Sequence, residues 1–327
     1  MPAKAILPAP LLSLALAASV HAGEFGNRHV LLFGIDGLRS DALKLSVGKG
    51  EAPNISNLIQ SGTVTWTAYT GGPASDGNIG QPAGPDQQAT VSGPGWSTVF
   101  TGVWADKHGV TDNSFKGKDF TRYPTLFDRL HESHPRARFV SLLSWPPIHE
   151  HIITPSPEKE GLVPMVRHTW PHDNPAEVEK TLIATTLREV SAPEAPDVVF
   201  CYQAVTDTAG HGHGFSPDVT EYMAAIHMAD ARLGEVLATV RARPSFAGEN
   251  WLFIVATDHG GSGTKHGGQS PEERVIPLIV SGGDVPGGSV SNKPVPQTCI
   301  PATVLHHLGV SIPAAWSIET SPFPASP

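Results

Sequence analysis

The sequence of 327 residues contains little of several residue types, and each shortage excludes a class of protein. Cys201 and Cys299 are its only cysteines, so the chain is not a scaffold held together by several disulfides. Lysine and arginine number 22 against 31 aspartates and glutamates, which argues against binding a nucleic-acid polymer through a basic surface. Charged residues make up 16% of the chain and apolar residues 39%, a composition typical of a folded domain rather than a disordered segment.

The first 22 residues have the features of a secretory signal peptide. Lys4 supplies the positive charge, residues 11–18 (LLSLALAA) form a short apolar run, and small residues precede the end at Ala22. The run is too short to span a membrane, which takes about 20 apolar residues. We therefore expect a periplasmic or extracellular protein in which residues 23–327 form one domain. In such a compartment Cys201 and Cys299 could pair, and two buried free thiols fit equally well.

Strand-like and helix-like segments alternate along the rest of the chain. Residues 28–35 (RHVLLFGI) are almost continuously apolar, which predicts a strand buried on both faces. Further strands are predicted at residues 63–69, 137–144, 197–203, 251–256 and 275–281, and helices at residues 52–61, 96–101, 125–133, 176–190, 217–241 and 300–308. This alternation predicts a layered α/β domain with a mostly parallel central sheet. Residues 145–175, rich in proline and histidine and without a clear period, are expected to form a small cap that sets specificity.

Carboxylates and imidazoles follow the ends of the predicted strands. The carboxyl ends of parallel strands meet at one edge of a sheet, where the site of such folds forms. One aspartate after a strand is commonly only a helix cap or turn former, but a group of acids and imidazoles at one edge would be destabilised without cations. This donor set suits Zn²⁺, with Mn²⁺ also compatible, so we expect a centre of two divalent metals. The six residues are Asp36, Asp207, His211, Asp258, His259 and His266.

A serine precedes a predicted helix in residues 91–102 (VSGPGWSTVFTG). Pro94 suits the first turn of a helix, which places Ser92 at the helix N-terminus. The helix dipole there favours an alkoxide and a phosphate. The alternative is that Ser92 is only an N-cap.

Together these residues resemble the alkaline phosphatase superfamily, and most closely its type I phosphodiesterase/nucleotide pyrophosphatase branch. The resemblance runs over residues 30–308 and implies a three-layer α/β/α fold with a mostly parallel sheet. The matching stretches are residues 33–39 (FGIDGLR), 92–94 (SGP), 101–102 (TG), 108–113 (HGVTDN), Asp207 with His211, 258–260 (DHG), 266–268 (HGG) and 277–279 (PLI).

The resemblance also implies a role for each residue. One metal ion, usually zinc, would be held by Asp207, His211 and His266. A second would be held by Asp36, Asp258 and His259 together with the Ser92 oxygen. Ser92 would be the nucleophile that forms a covalent phosphoserine, and Asn113 matches the position whose amide contacts a phosphoryl oxygen.

The sequence departs from this branch at two places. Threonine is usual where Ser92 stands, and Thr90, two residues earlier, is a fallback nucleophile that lacks the proline at the expected position. His266 follows Asp258 and His259 after a short loop, whereas nucleotide pyrophosphatases usually carry this histidine much further along. This second departure weakens the transfer of nucleotide specificity to this chain.

The sequence favours a small phosphodiester as substrate over the alternatives. A sulfatase would need an arginine where Trp96 stands, after residues 92–95 (SGPG). A monoester dianion usually calls for an additional cation, and the nearby Lys107, Lys116 and Lys265 belong to no recognisable motif. A phosphomonoesterase and a phosphonate hydrolase of the same superfamily remain alternatives. A non-catalytic protein stabilised by metal is the alternative of a different class.

Overall fold

The computed structural model describes residues 23–75, 78–84, 87–153, 165–169 and 175–325. The expected signal peptide, residues 1–22, lies outside the described residues. So do residues 154–164 and 170–174 of the expected cap, and both expectations therefore stay predictions.

Strands and helices alternate through the described residues much as the hydrophobic runs predict. The strands are β1 (Arg28–Ile35), β2 (Gly62–Tyr69), β3 (Ala74–Ser75), β4 (Asn78–Pro82), β5 (Phe139–Leu143), β6 (Met165–Thr169), β7 (Val198–Gln203), β8 (Asn250–Ala256), β9 (Val275–Gly282), β10 (Ser289–Ser291) and β11 (Val295–Pro296). The α-helices are α1 (Ser40–Lys49), α2 (Pro53–Gln60), α3 (Ser92–Thr101), α4 (Ala105–His108), α5 (Leu126–Ser133), α6 (Pro175–Val190), α7 (Val205–His213), α8 (Thr220–Arg241), α9 (Pro271–Arg274) and α10 (Cys299–Leu308). None of the helices within these ranges is long and apolar enough to cross a membrane.

The central sheet has the strand order β10-β2-β9-β8-β1-β7-β5-β6, with β11 pairing beside β2. Strand β1 lies near the centre and pairs in parallel with β7 on one side and β8 on the other. Only β9 among these strands runs against its neighbours β2 and β8. The prediction of a mostly parallel sheet is confirmed, and the continuous apolar run of β1 is explained by its burial on both faces.

Two buried apolar layers cover the two faces of the sheet. One layer contains side chains of α3, α5 and α10, and the other contains side chains of α1, α2, α6 and α8. The three-layer α/β/α prediction is therefore confirmed. Cys201 lies in one layer and Cys299 in the other, and both are free thiols, so the sheet between them prevents a disulfide.

Apart from the short elements α4, α9, β3, β4, β10 and β11, which were not predicted, the structure differs from the expected elements in four places. Helices α1 and α7 were not predicted, and α7 (VTDTAGHGH) contains two glycines and two threonines, which are poor helix formers. Helix α3 begins at Ser92, four residues before the predicted start. Met165–Thr169, within the expected cap, pairs with β5 as a strand at the edge of the main sheet.

We expect removal of a core side chain from β1 to destabilise the domain strongly. Leu31 is fully buried at the centre of the sheet, and Leu31→Ala should lower the free energy of unfolding by about 2–5 kcal/mol, because it leaves a cavity. Leu45→Ala is the matched control, because Leu45 in α1 is 37% exposed, and it should cost less than about 1 kcal/mol. Urea denaturation measures both values, and equal losses would contradict this assignment of the core.

Candidate metal centre

Three neighbouring strands bring the predicted acidic residues to one edge of the sheet. Asp36 directly follows β1, Asp258 follows β8, and Asp207 lies in the first turn of α7, which follows β7. Because β7, β1 and β8 are adjacent and parallel, their carboxyl ends lie side by side. Two groups of donor atoms result, each with all of its atoms within 4.8 Å of one another: Asp207, His211 and His266, and Asp36, Asp207 and His259.

The unpredicted helix α7 fixes the first of these groups. Asp207 and His211 are four residues apart on α7 and therefore lie on the same helix face. The Nε2 atom of His211 lies 3.5 Å from Asp207 Oδ2, and that of His266 lies 3.5 Å from Asp207 Oδ1. The two Nε2 atoms are only 3.0 Å apart.

Backbone carbonyls set the orientation of all three histidine rings. The Nδ1 atoms of His211, His259 and His266 lie 3.0, 2.7 and 2.9 Å from the carbonyl oxygens of Thr264, Gly260 and Thr90. A carbonyl oxygen can only accept, so each Nδ1 donates and each neutral ring keeps its lone pair on Nε2. Burial lowers the pKa of His259 and His266 to about 4, which leaves both rings neutral at neutral pH.

Each of the three carboxylates at the site keeps one buried oxygen without a hydrogen-bond partner. Asp36 Oδ2 accepts from the Tyr202 hydroxyl at 2.6 Å and from the Trp96 indole at 3.1 Å, and Asp258 Oδ1 accepts from the Gly37 N–H at 3.3 Å. Within the described residues, Asp36 Oδ1, Asp207 Oδ1 and Asp258 Oδ2 are buried without a partner. Burial raises the pKa of all three carboxyls, and burial together with the neighbouring Asp36 raises that of Asp207 to about 8.

This arrangement fits divalent cations. Buried acceptors without a donor are costly, and here unpartnered carboxylate oxygens face the lone pairs of imidazole nitrogens. His259 Nε2 lies 3.6 Å from Asp36 Oδ1 and 3.2 Å from Asp258 Oδ2, so the structure brings these three expected ligands together. Asp207 reaches both groups of donors, whereas the sequence assigned it to one.

Ser92 stands beside the acceptor cluster. It is the first residue of α3, the N-cap position is Val91, and no side chain caps the helix, so the N-cap alternative is wrong. Its Oγ lies 3.4 Å from His259 Nε2. The fallback Thr90 is buried, and its hydroxyl donates to the Gly268 carbonyl at 2.8 Å and accepts from the Gly267 N–H at 3.0 Å. Thr90 therefore holds the loop of His266, with its hydroxyl bound to the backbone on both sides.

Asn113 is held against the start of α3. Its Oδ1 accepts from the Gly93 N–H at 2.7 Å, so its Nδ2 is the end left to donate. A Cβ at position 93 would lie 2.8 Å from the Asp112 carbonyl oxygen, and only glycine allows this close approach. The exposed Asn113 lines the same cleft as Ser92, as its expected role requires.

A cleft of about 770 Å³ extends from Ser92 and Asn113 along α8. Trp145, Val178 and Met228 contribute apolar wall, and a guanidinium, that of Arg232, also lines it. Lys107, Lys116 and Lys265 are not among the described residues that line the cleft. The sequence analysis did not find Arg232, although Glu221, Ala225, Met228 and Arg232 have the spacing of one helix face.

Comparison with protein families finds one match over most of the chain. The model of the type I phosphodiesterase / nucleotide pyrophosphatase family matches residues 30–277. An uncharacterized pyrophosphatase/phosphodiesterase of Schizosaccharomyces pombe is 23% identical over 246 residues, which cover 71% of this chain and 44% of the relative. A phosphopentomutase of Edwardsiella ictaluri is 32% identical over 130 residues, which cover 40% of this chain and 29% of the relative. The chain thus spans less than half the length of these curated relatives.

Solved structures share the fold at low sequence identity. A sulfatase described as putative, from Bacteroides thetaiotaomicron, aligns with a TM-score of 0.65 at 13% identity, covering 92% of this chain and 76% of that one. Human ectonucleotide pyrophosphatase / phosphodiesterase 5 aligns with a TM-score of 0.61 at 13% identity, covering 87% of this chain and 96% of that one. These likenesses establish the fold of the domain.

The raised pKa of Asp207 predicts how the stability of the metal-free protein depends on pH. An acid with a pKa of about 8 in the folded protein and an ordinary value of 3.8 is ionised in the unfolded chain over this interval and takes up a proton on folding, so stability is lost as pH rises through it. The histidines with a pKa of about 4 are already neutral above pH ~6.5 and do not contribute there. The melting temperature of metal-free protein should therefore fall between pH ~6.5 and ~8.5.

Thermal denaturation with and without added Zn²⁺ measures this effect. Zinc should abolish the decrease, and Asp207→Asn should reduce it in the metal-free protein, because the amide does not ionise. Asp218→Asn is the control, because Asp218 is exposed and should leave the decrease unchanged. A metal-free protein equally stable across this range would contradict the assignment of Asp207 as an acid with a raised pKa and a buried, unpartnered oxygen.

Proposed function

The chain belongs to the type I phosphodiesterase / nucleotide pyrophosphatase family, and from this premise we propose that it is a metal-dependent phosphoesterase that hydrolyses phosphodiesters. The observation that supports this best is the position of the Ser92 hydroxyl, 3.4 Å from His259 Nε2 at the edge of six converging carboxylates and imidazoles. The expected signal peptide would direct this activity to the periplasm or the cell exterior.

We assign the metal ligands from the donors that the fold brings together. Asp207, His211 and His266 would hold one divalent ion, and Asp36, Asp258 and His259 a second, with the Ser92 oxygen as its further ligand. Nitrogen and carboxylate donors together favour Zn²⁺ over Mg²⁺. Bound ions of this kind lower the pKa of a coordinated hydroxyl or water and stabilise charge on phosphoryl and leaving oxygens.

Ser92 would act as the nucleophile. Its Oγ forms a bond to phosphorus while the bond from phosphorus to the leaving alkoxide breaks, and the alkoxide leaves as the alcohol with the proton that Ser92 gives up. The covalent intermediate is a phosphodiester between Ser92 and the second ester substituent. Water then hydrolyses the bond between Ser92 and phosphorus, releases a phosphomonoester and restores the serine hydroxyl. The N-terminal dipole of α3 favours the negative charge at Ser92 in both steps.

The cleft favours a diester over a monoester. The Nδ2 of Asn113 would donate to one phosphoryl oxygen, and a diester carries a single negative charge. The guanidinium of Arg232 is the one lysine or arginine group among the described lining residues, and it is already paired with a glutamate. A monoester dianion would therefore meet little compensating charge outside the metal centre.

The nucleophile assignment predicts the effect of two substitutions at position 92. In metal-loaded protein Ser92→Ala should lower kcat by at least about a thousandfold, because no hydroxyl remains to attack phosphorus. Ser92→Thr should keep activity, because it retains a hydroxyl. Steady-state kinetics with metal content by mass spectrometry checks both, and Thr90→Ser is the control that should remain active. Normal turnover by metal-loaded Ser92→Ala would show that another group is the nucleophile.

The substrate assignment predicts a preference between two chromogenic esters. We expect kcat/KM for bis-p-nitrophenyl phosphate to exceed that for p-nitrophenyl phosphate by about tenfold. The reason is that the second negative charge of the monoester lacks one compensating contact in the cleft. A p-nitrophenyl phosphonate ester assayed alongside tests the phosphonate alternative. A much higher kcat/KM on the monoester would exclude the diesterase assignment, and absence of hydrolysis of all three would favour the non-catalytic alternative.

A further inference from the structure

The cleft is lined by an ion pair, between Arg232 and Glu179, that the proposed chemistry does not use. Arg232 Nη1 lies 3.0 Å from Glu179 Oε2 and 3.0 Å from the side-chain oxygen of Gln203, the last residue of β7. Glu179 Oε1 accepts from the Ser144 hydroxyl at 2.9 Å. Both oxygens of the carboxylate are therefore occupied, and the pair carries no net charge.

The guanidinium retains donors that face the cleft. A single nitrogen, Nη1, makes both hydrogen bonds of Arg232, and Nε and Nη2 make none within the described part of the chain. The Arg232 side chain lines the cleft and is 15% exposed. An acceptor on a bound molecule would satisfy them.

The cleft wall along α8 towards Arg232 is largely apolar. Ala225, Met228 and Arg232 follow one another along the face of α8 that lines the cleft, with Val178 of α6 and Trp145 beside them. Glu221 stands at the opposite end of this face, eleven residues from Arg232, which corresponds to a rise of about 16 Å along the helix. A flexible apolar stem of several carbons fits such a wall.

The charges around the cleft disfavour an anionic group at its end. Glu179 neutralises Arg232, so a second anion on the substrate would meet an ion pair without net positive charge and the nearby Glu179 carboxylate. A neutral acceptor gains hydrogen bonds to a polarised donor without this cost.

From the proposed phosphodiesterase activity, on which this inference rests, we propose that Arg232 is a specificity-determining residue. It binds a neutral hydroxyl or carbonyl group at the end of an aliphatic ester substituent. The substrate class is therefore a phosphodiester in which one alcohol carries a short apolar chain ending in an uncharged oxygen group. The metals and Ser92 act at phosphorus, and Arg232 binds the oxygen group at the far end of the aliphatic substituent.

Three diesters with the same p-nitrophenyl leaving group test the proposal, with n-butyl, 4-hydroxybutyl or 3-carboxypropyl as the second substituent. The metal-loaded protein should prefer the hydroxybutyl over the butyl ester by about tenfold in kcat/KM, because the terminal hydroxyl gains one hydrogen bond from the charged Arg232. Titration calorimetry with 4-hydroxybutyl and butyl phosphonate should give a similar ratio of Kd values without turnover. Equal values for the two ligands, or a preference for the carboxylate, would overturn the proposal.

Substitutions at the ion pair locate the preference. Arg232→Lys keeps the charge but loses the additional N–H groups, and it should reduce the hydroxybutyl-to-butyl ratio to about one. Arg241→Lys, on the same helix with an exposed side chain, is the matched control and should retain both the ratio and the activity. An Arg232→Lys variant that lowers kcat/KM on both esters equally would show a purely structural role and contradict the proposal.

A second variant keeps the test decisive if Arg232→Lys does not fold. Glu179→Gln leaves the guanidinium charge unbalanced and should raise kcat/KM for the carboxypropyl ester relative to the hydroxybutyl ester by about tenfold. An unchanged ratio would contradict the proposal. Hydrolysis of bis-p-nitrophenyl phosphate by the same preparations separates the two assignments. Activity there without substituent preference rejects the role of Arg232 alone, whereas inactivity rejects the phosphodiesterase function.

Discussion

The close approach of buried hydrogen-bond acceptors at the carboxyl edge of the sheet is the constraint on which the rest of this structure depends. Asp36, Asp207 and Asp258 each hold an unpartnered carboxylate oxygen there, and the lone pairs of three imidazoles face the same space. Such a group is unfavourable by itself, because no donor compensates the lost hydration. The three acids lie close together because β1 lies between β7 and β8 in the sheet. Burial of the surrounding apolar core offsets the free energy that this arrangement costs.

Residues around the cluster form hydrogen bonds with one polar atom of a ligand side chain and leave its other polar atom directed at the site. Tyr202 and Trp96 bind one oxygen of Asp36, so its second oxygen has a fixed direction. Thr90 holds both the ring of His266 and the backbone of its loop. A Cβ at Gly95 would lie 2.7 Å from the Cβ of Asp258, so a glycine there lets the start of α3 bring Ser92 to the acceptors. Rigid orientation of this kind is what a metal centre and its nucleophile require.

The sequence analysis anticipated most of the sheet because the strand signal is local. Runs such as residues 28–35 are apolar along their whole length, and strands buried on both faces need this property. Helix α7 was not predicted because its glycines and threonines disfavour a helix, and its packing against α8 outweighs that preference. Strand β6 was not predicted because it depends on pairing with β5, and no local pattern in residues 145–175 indicates that pairing.

The sequence by itself determined the fold class, the family resemblance and the residue types available to the site, since apolar periodicity and short motifs are properties of neighbouring residues. Only the tertiary structure decided which oxygens lack partners, that Thr90 is a bound support rather than a free hydroxyl, and that Arg232 faces the cleft beside Glu179. These features depend on contacts between residues far apart in the chain, 53 positions for Arg232 and Glu179 and 178 for Thr90 and Gly268. Packing of distant segments, which no local pattern encodes, fixes such contacts and the burial that gives them their energy.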